Sequence, residues 1–131
     1  MSAKTVKKAT FKDLIARKLQ KEADQFKAKD IYVSSMDVAL TFVKPKDDLI
    51  LDTLDGIGDK KETRNIVAAY KKLIYHCCNM LQDVELHKEL EVKDPYDVVD
   101  QIFNLADILE IGEQLMGFID IGSKVDEIKN S

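Results

Sequence analysis

Residues 63–81 read TRNIVAAYKKLIYHCCNML, and their apolar members recur in one pattern: Ile66, Val67, Tyr70, Leu73, Ile74, Cys77, Cys78 and Leu81. Steps of three and four place these side chains on one broad face of an α-helix. Good helix formers such as Ala68, Ala69, Lys71 and Lys72 fill the other positions, and no Gly or Pro interrupts the run. The spacing therefore predicts a central, largely buried helix over about residues 63–82. At 1.5 Å per residue it spans roughly 28 Å, the width of a small domain. Arg64, Lys71 and Lys72 mark its wet side.

The chain has 131 residues, the size of one domain able to bury a core without staples. It contains no apolar run long enough to cross a membrane, and the lysines of MSAKTVKKATFKD are followed by no apolar core of the kind a signal peptide needs. A cytoplasmic protein is expected. Cys77 and Cys78 are adjacent and point about 100° apart on a helix, so they read as small core residues of a reducing compartment.

Charge is polarised along the chain. Residues 1–30 carry nine Lys or Arg against four acids, whereas residues 83–131 carry thirteen acids against four lysines. A basic helical N-terminus raises the prospect of nucleic-acid binding, but only Phe11 and Phe26 are near to stack on bases, and a solvated amphipathic arm is the preferred reading.

Working outward, residues 1–9 read as a flexible basic N-terminus. Thr10 with Asp13 forms a capping-box pattern opening a helix through FKDLIARKLQKEADQFKAK, whose narrow stripe of Phe11, Leu14, Ile15, Leu19 and Phe26 can dock on its own domain or a neighbour's. IYV and VALTFV, separated by Ser34–Asp37, predict a β-hairpin over about 31–43. Pro45 ends it and opens a short helix, KDDLILDTLD, that Gly56 stops; Asp59 or Thr63 then caps the central helix.

Beyond the central helix, DVELHKELEVKD is a short acidic segment. In DPYDVVDQIF, Asp94 reads as an N-cap and Pro95 as the first helical residue. Asn104 breaks or bends that helix, and LADILEIGEQLMGFIDIG continues it, weakened by Gly112 and Gly117. The fold class is thus mainly α: one domain over residues 10–121 with about five helices and a short β-hairpin in its N-terminal third. Residues 122–131 form a polar tail.

No cluster carries chemistry. Asp94, Asp97 and Asp100 share a helix face, but acid bias at a helix start explains two of them, and no curled loop with a central glycine is present to hold calcium. His76 and His87 lack the partner spacing of a zinc helix, and Ser34 and Ser35 have no G-x-S-x-G context. No catalytic residue, metal or cofactor is expected, and an enzyme is the least favoured class.

The order of elements does resemble a family. A basic amphipathic helix, the pair IYVSSMDVALTFVKP, the helix KDDLILDTLD, the long helix AAYKKLIYHCCNML and then ELEVKDPYDVVDQIF resemble the small tail assembly chaperones of long-tailed bacteriophages and of phage-tail-like prophage elements of Gram-positive bacteria. The resemblance is closest from Lys71 to Phe103. It implies a protein of the host cytoplasm, absent from the mature virion, that binds the hydrophobic tape measure protein, keeps it soluble and helps recruit the tail tube protein. An exposed apolar strip in acidic surroundings suits that task, and Leu86, Leu90, Leu109, Met116, Phe118 and Ile119 are the candidate partner contacts. The basic arm passing to a neighbouring copy would make a homo-oligomer. The other readings are a small nucleic-acid-binding or regulatory factor and a structural tail component.

Overall fold

The computed structural model of the chain describes residues 6–119; the expected C-terminal tail and the first five residues of the basic N-terminus lie outside it. The elements in order are helix α1 (Phe11–Asp24), strands β1 (Ala28–Val33) and β2 (Val38–Val43), then helices α2 (Asp47–Ile57) and α3 (Thr63–Cys77). A 3-10 turn (Asn79–Gln82), α4 (Val84–Glu89), α5 (Asp97–Ile102) and α6 (Leu105–Ile119) follow. The chain is mainly helical with one antiparallel hairpin, the expected class, with six α-helices among the described residues.

Helix α3 is the hub. Tyr70, Leu73, Ile74, Cys77 and Cys78 are buried, with Leu81 beyond them, and Ile66 and Val67 are half-buried, so the whole predicted face is used. Around it pack α2, α5, α6, the 3-10 turn and β2. Val98, Val99 and Phe103 come from α5 and its end, and Ile108, Ile111 and Leu115 from α6. Burying a side chain of this size is worth about 1.5–3 kcal/mol, so this cluster dominates the stability of the fold.

The helix ends earlier than residue 82. Cys78 is extended, at φ −121° and ψ 105°, and the chain resumes as a 3-10 turn. The Gln82 amide folds back and donates to the carbonyls of Tyr75 and His76 at 3.0 and 3.3 Å, supplying partners that the last helical carbonyls otherwise lack. At its start, Glu62 occupies the N-cap without a side-chain cap bond and Thr63 is the first helical residue, so neither Asp59 nor Thr63 is the cap.

The hairpin begins three residues before the expected start. Ala28 pairs with Val43 and Asp30 with Thr41, and Lys44 N–H donates to the Lys27 carbonyl at 2.9 Å. Pairing with β2 overrides the helical preference of Ala28 and Lys29, so α1 stops at Asp24. On the inner face Ile31, Val33 and Phe42 are buried; on the outer face Thr41 donates to Asp30 and Tyr32 to Asp37, both at 2.6 Å. The α1 capping box forms as read, with Asp13 N–H donating to Thr10 Oγ1 and Thr10 N–H to Asp13 Oδ2.

Helix α2 runs past Gly56. Gly58, at φ 72°, ends it, a conformation glycine adopts without strain. Asp94 accepts the Tyr96 N–H in a turn, and α5 starts only at Asp97, so Pro95 lies before the helix and not within it. Asn104 separates α5 from α6 as read: Asp107 N–H donates to Asn104 Oδ1 at 2.9 Å and Asn104 N–H to Asp107 Oδ2 at 3.1 Å. The same buried Asp107 oxygen accepts Ser35 Oγ at 2.7 Å, tying the hairpin turn to the start of α6.

Candidate functional site

The two cysteines are buried and the two histidines are hydrogen-bonded. Burial raises the thiol of Cys77 from its ordinary 9.0 to about 12, with the neighbouring Cys78 adding to the shift, and burial likewise raises Cys78. Neither is a thiolate near neutral pH, so neither is a nucleophile. An alkylating reagent should therefore label the native protein far more slowly than the unfolded chain; equal rates would contradict this burial. The raised pKa also sets a pH limit. Its stabilising effect is fully present below about 9 and is lost as pH rises toward 12.

His76 Nε2 lies 2.9 Å from Tyr96 Oη, with the Tyr75 ring edge-on to both. His87 Nε2 meets the Leu81 carbonyl at 2.8 Å; a carbonyl only accepts, so that nitrogen carries the proton. Both histidines thereby hold α3 and the 3-10 turn to the segments that follow. A cavity of about 540 Å³ between α2 and α3 is lined by Asp52, Thr53, Asn65, Lys72, His76 and Tyr96 among others, and the Thr53 hydroxyl in it donates to the Leu49 carbonyl at 2.8 Å. Among the three aspartates of residues 94–100, Asp94 caps its turn and Asp100 pairs with Lys71 at 2.7 Å. Among the described residues no group of three His, Cys, Asp or Glu is placed to hold a metal ion, and no helix is long and apolar enough to cross a membrane.

An apolar groove of about 360 Å³ is the feature that reads as a binding surface. Met36 of the hairpin turn, Leu40 of β2, Met80 and Leu81 of the 3-10 turn, Leu86 of α4 and Ile102 of α5 line it. Asp83, Glu85 and Glu89 form its polar edge, and no basic side chain lines it. Local geometry explains the arrangement. The break at Cys78 turns Met80 outward, 67 % exposed, while Leu81 sinks to 3 %. Asp83 then accepts the Glu85 N–H at 2.8 Å, which starts α4 and projects its acids along one side of the groove. Methionine at such a surface is adaptable, because its unbranched thioether reshapes to its partner.

Of the contacts predicted from sequence, Leu86 alone lines this groove. Leu90, Leu109 and Met116 are half-buried and packed against the core, Phe118 is half-buried, and the side chain of Ile119 lies outside the described residues. Helix α6 is thus a core helix whose second side is also partly covered, and a further apolar surface with an acidic edge lies at α4 and the hairpin. Met36, Leu40, Met80, Leu81 and Ile102 were not among the predicted contacts. Asn79, a weak helix former directly after the cysteines, is the one sequence signal that points to Met80 leaving the helix face.

Comparison of the chain with known protein families, with characterised proteins and with solved structures gives no match.

Proposed function

We propose that the chain is a non-enzymatic tail assembly chaperone, and that its groove takes an amphipathic helix of the tape measure protein. The observation that supports this reading is the groove itself: an apolar floor drawn from four separate parts of the chain, edged by three carboxylates and open to solvent. Helix-in-groove binding uses such a floor to cover an apolar face that would otherwise aggregate. The acidic edge keeps the complex soluble and favours a partner helix flanked by lysine or arginine. The order of elements from Lys71 to Phe103 gives the reading its particular partner, and recruitment of the tail tube protein follows from the same resemblance.

Co-expression with the tape measure protein of the same element tests it. The wild-type chain should keep that protein soluble and be retained with it, and Met80→Asp, at an exposed position in the groove, should lose at least tenfold in retention while keeping its circular dichroism spectrum. Retention unchanged in Met80→Asp would remove the groove from the reaction, and no retention by the wild type would remove the chaperone reading. Leu109→Asp serves as the contrast: it should act through stability, since Leu109 packs on the core.

A further inference from the structure

Helix α1 stands apart from the rest of the molecule. It buries no residue, and its stripe is open along its length, with Phe11 79 %, Leu14 64 % and Leu19 60 % exposed. A single exposed leucine is ordinary, but a row of large apolar side chains on one helix face is what a partner surface covers. Lys21 pairs only loosely with Asp47 at the start of α2, at 4.0 Å between exposed side chains. Residues 7–21 carry six basic side chains against Asp13 alone. The helix therefore has the chemistry that the groove lacks: an apolar stripe for its floor and cations for Asp83 and Glu89, whereas Glu85 already lies 3.8 Å from Lys88 of its own helix.

We propose that the α1 of one copy lies in the groove of a second copy, reciprocally, so that the chain forms a closed two-fold dimer by helix exchange. The connection favours exchange over folding back. Gln25 is still helical, Phe26 and Lys27 donate to Ala23 and Asp24 in tight turns, and the Lys27 carbonyl already accepts from Lys44. No slack separates helix from ladder. The groove, meanwhile, opens beside Met36 and Leu40, toward the turn end of the hairpin, whereas α1 enters at the open end where Ala28 pairs with Val43. Those ends are about 20 Å apart for a six-residue strand, so α1, about 21 Å long, would reach its own groove only by lying back along the hairpin, and its open stripe shows that it does not. Exchange of an identical element is a low-cost route to a dimer, and a two-fold axis satisfies both grooves at once.

This inference rests on the groove being a helix-binding surface, as in the proposed function: the α1 of the second copy occupies the groove until a tape measure helix displaces it, so the two compete, and the dimer itself needs no tape measure protein. Light scattering and sedimentation of the full chain alone test it, with the double variant Leu14→Glu/Leu19→Glu and the single variant Met80→Glu. All three substituted positions are exposed, and circular dichroism checks that each variant is folded. The wild type should be a dimer that weakens as salt is added, and each variant alone should dissociate at least tenfold more readily. Mixing the two variants should restore association in part, because the intact α1 of one fits the intact groove of the other. A monomeric wild type, a dimer that persists in both variants, or variants that fail to associate when mixed would each overturn the proposal. A monomer that still retains the tape measure protein would sink the exchange alone. A dimer that retains none would sink the chaperone reading alone.

Discussion

Phe42→Ala should destabilise the protein by about 3–5 kcal/mol, the range for removing a buried aromatic ring. Phe42 is completely buried on β2, on the face that also holds Ile31, Val33 and Leu40. A two-stranded hairpin is marginal on its own, so these side chains are what fasten it to α3 and α6. The loss is large beside a total stability of about 5–15 kcal/mol for a domain. It should also be local first: amide exchange should quicken across residues 28–43 before it quickens in α3. Tyr32→Ala on the outer face, where the hydroxyl only donates to Asp37, should cost well under half as much. Denaturant unfolding with both variants checks the contrast, and equal costs would mean that the hairpin is not held by its inner face.

Gly112→Ala should lower stability although alanine is the better helix former. A Cβ at Gly112 would sit 2.2 Å from Cδ2 and 2.3 Å from Cγ of Tyr70, where carbon atoms prefer about 3.5–4.0 Å. Tyr70 is buried on α3, so its ring has nowhere to go, and α6 would have to move away from the hub. Overpacking of this kind costs typically about 1–3 kcal/mol, enough to outweigh the roughly 1 kcal/mol that alanine gains in a helix. Gly117→Ala meets nothing within 4 Å and should stabilise by up to about 1 kcal/mol. Thermal unfolding should therefore move in opposite directions for two identical substitutions five residues apart. Shortening Tyr70 in the Gly112→Ala background should recover part of the loss, as expected for directly coupled sites.

That contrast bears on what a sequence can reveal. The face of α3 is legible because six apolar residues, Ile66 to Cys77, repeat within one element, and periodicity is a local signal. The Thr10–Asp13 cap and the break at Asn104 were legible for the same reason, since each is satisfied within three residues. Where α1 and α3 end was not. Ala28 and Lys29 leave the helix because β2 pairs with them, and α3 stops where a glutamine five residues further on reaches back to its carbonyls. Gly112 looked like a weakness in α6; its use depends on a tyrosine forty-two residues earlier. The groove was least legible of all, because Met36, Met80, Leu86 and Ile102 belong to four elements and share no pattern along the chain. The C-terminal apolar run gives no such difficulty of detection, but composition does not say how its residues divide between core and surface: Ile108, Ile111 and Leu115 are buried, while Leu109 and Met116 are half-buried.

The bond from Ser35 to Asp107 joins residues seventy-two positions apart. On the ribosome, synthesised at about 5–20 residues per second, the hairpin must wait several seconds for α6 to exist. During that interval Ile31, Val33 and Phe42 have no α6 to shelter them, and a two-stranded ribbon with an apolar face is prone to pair with whatever strand edge is near. The nascent chain therefore passes through its own period of vulnerability, and slowing translation between the codons for Val43 and Ile108 should raise the fraction lost to aggregates.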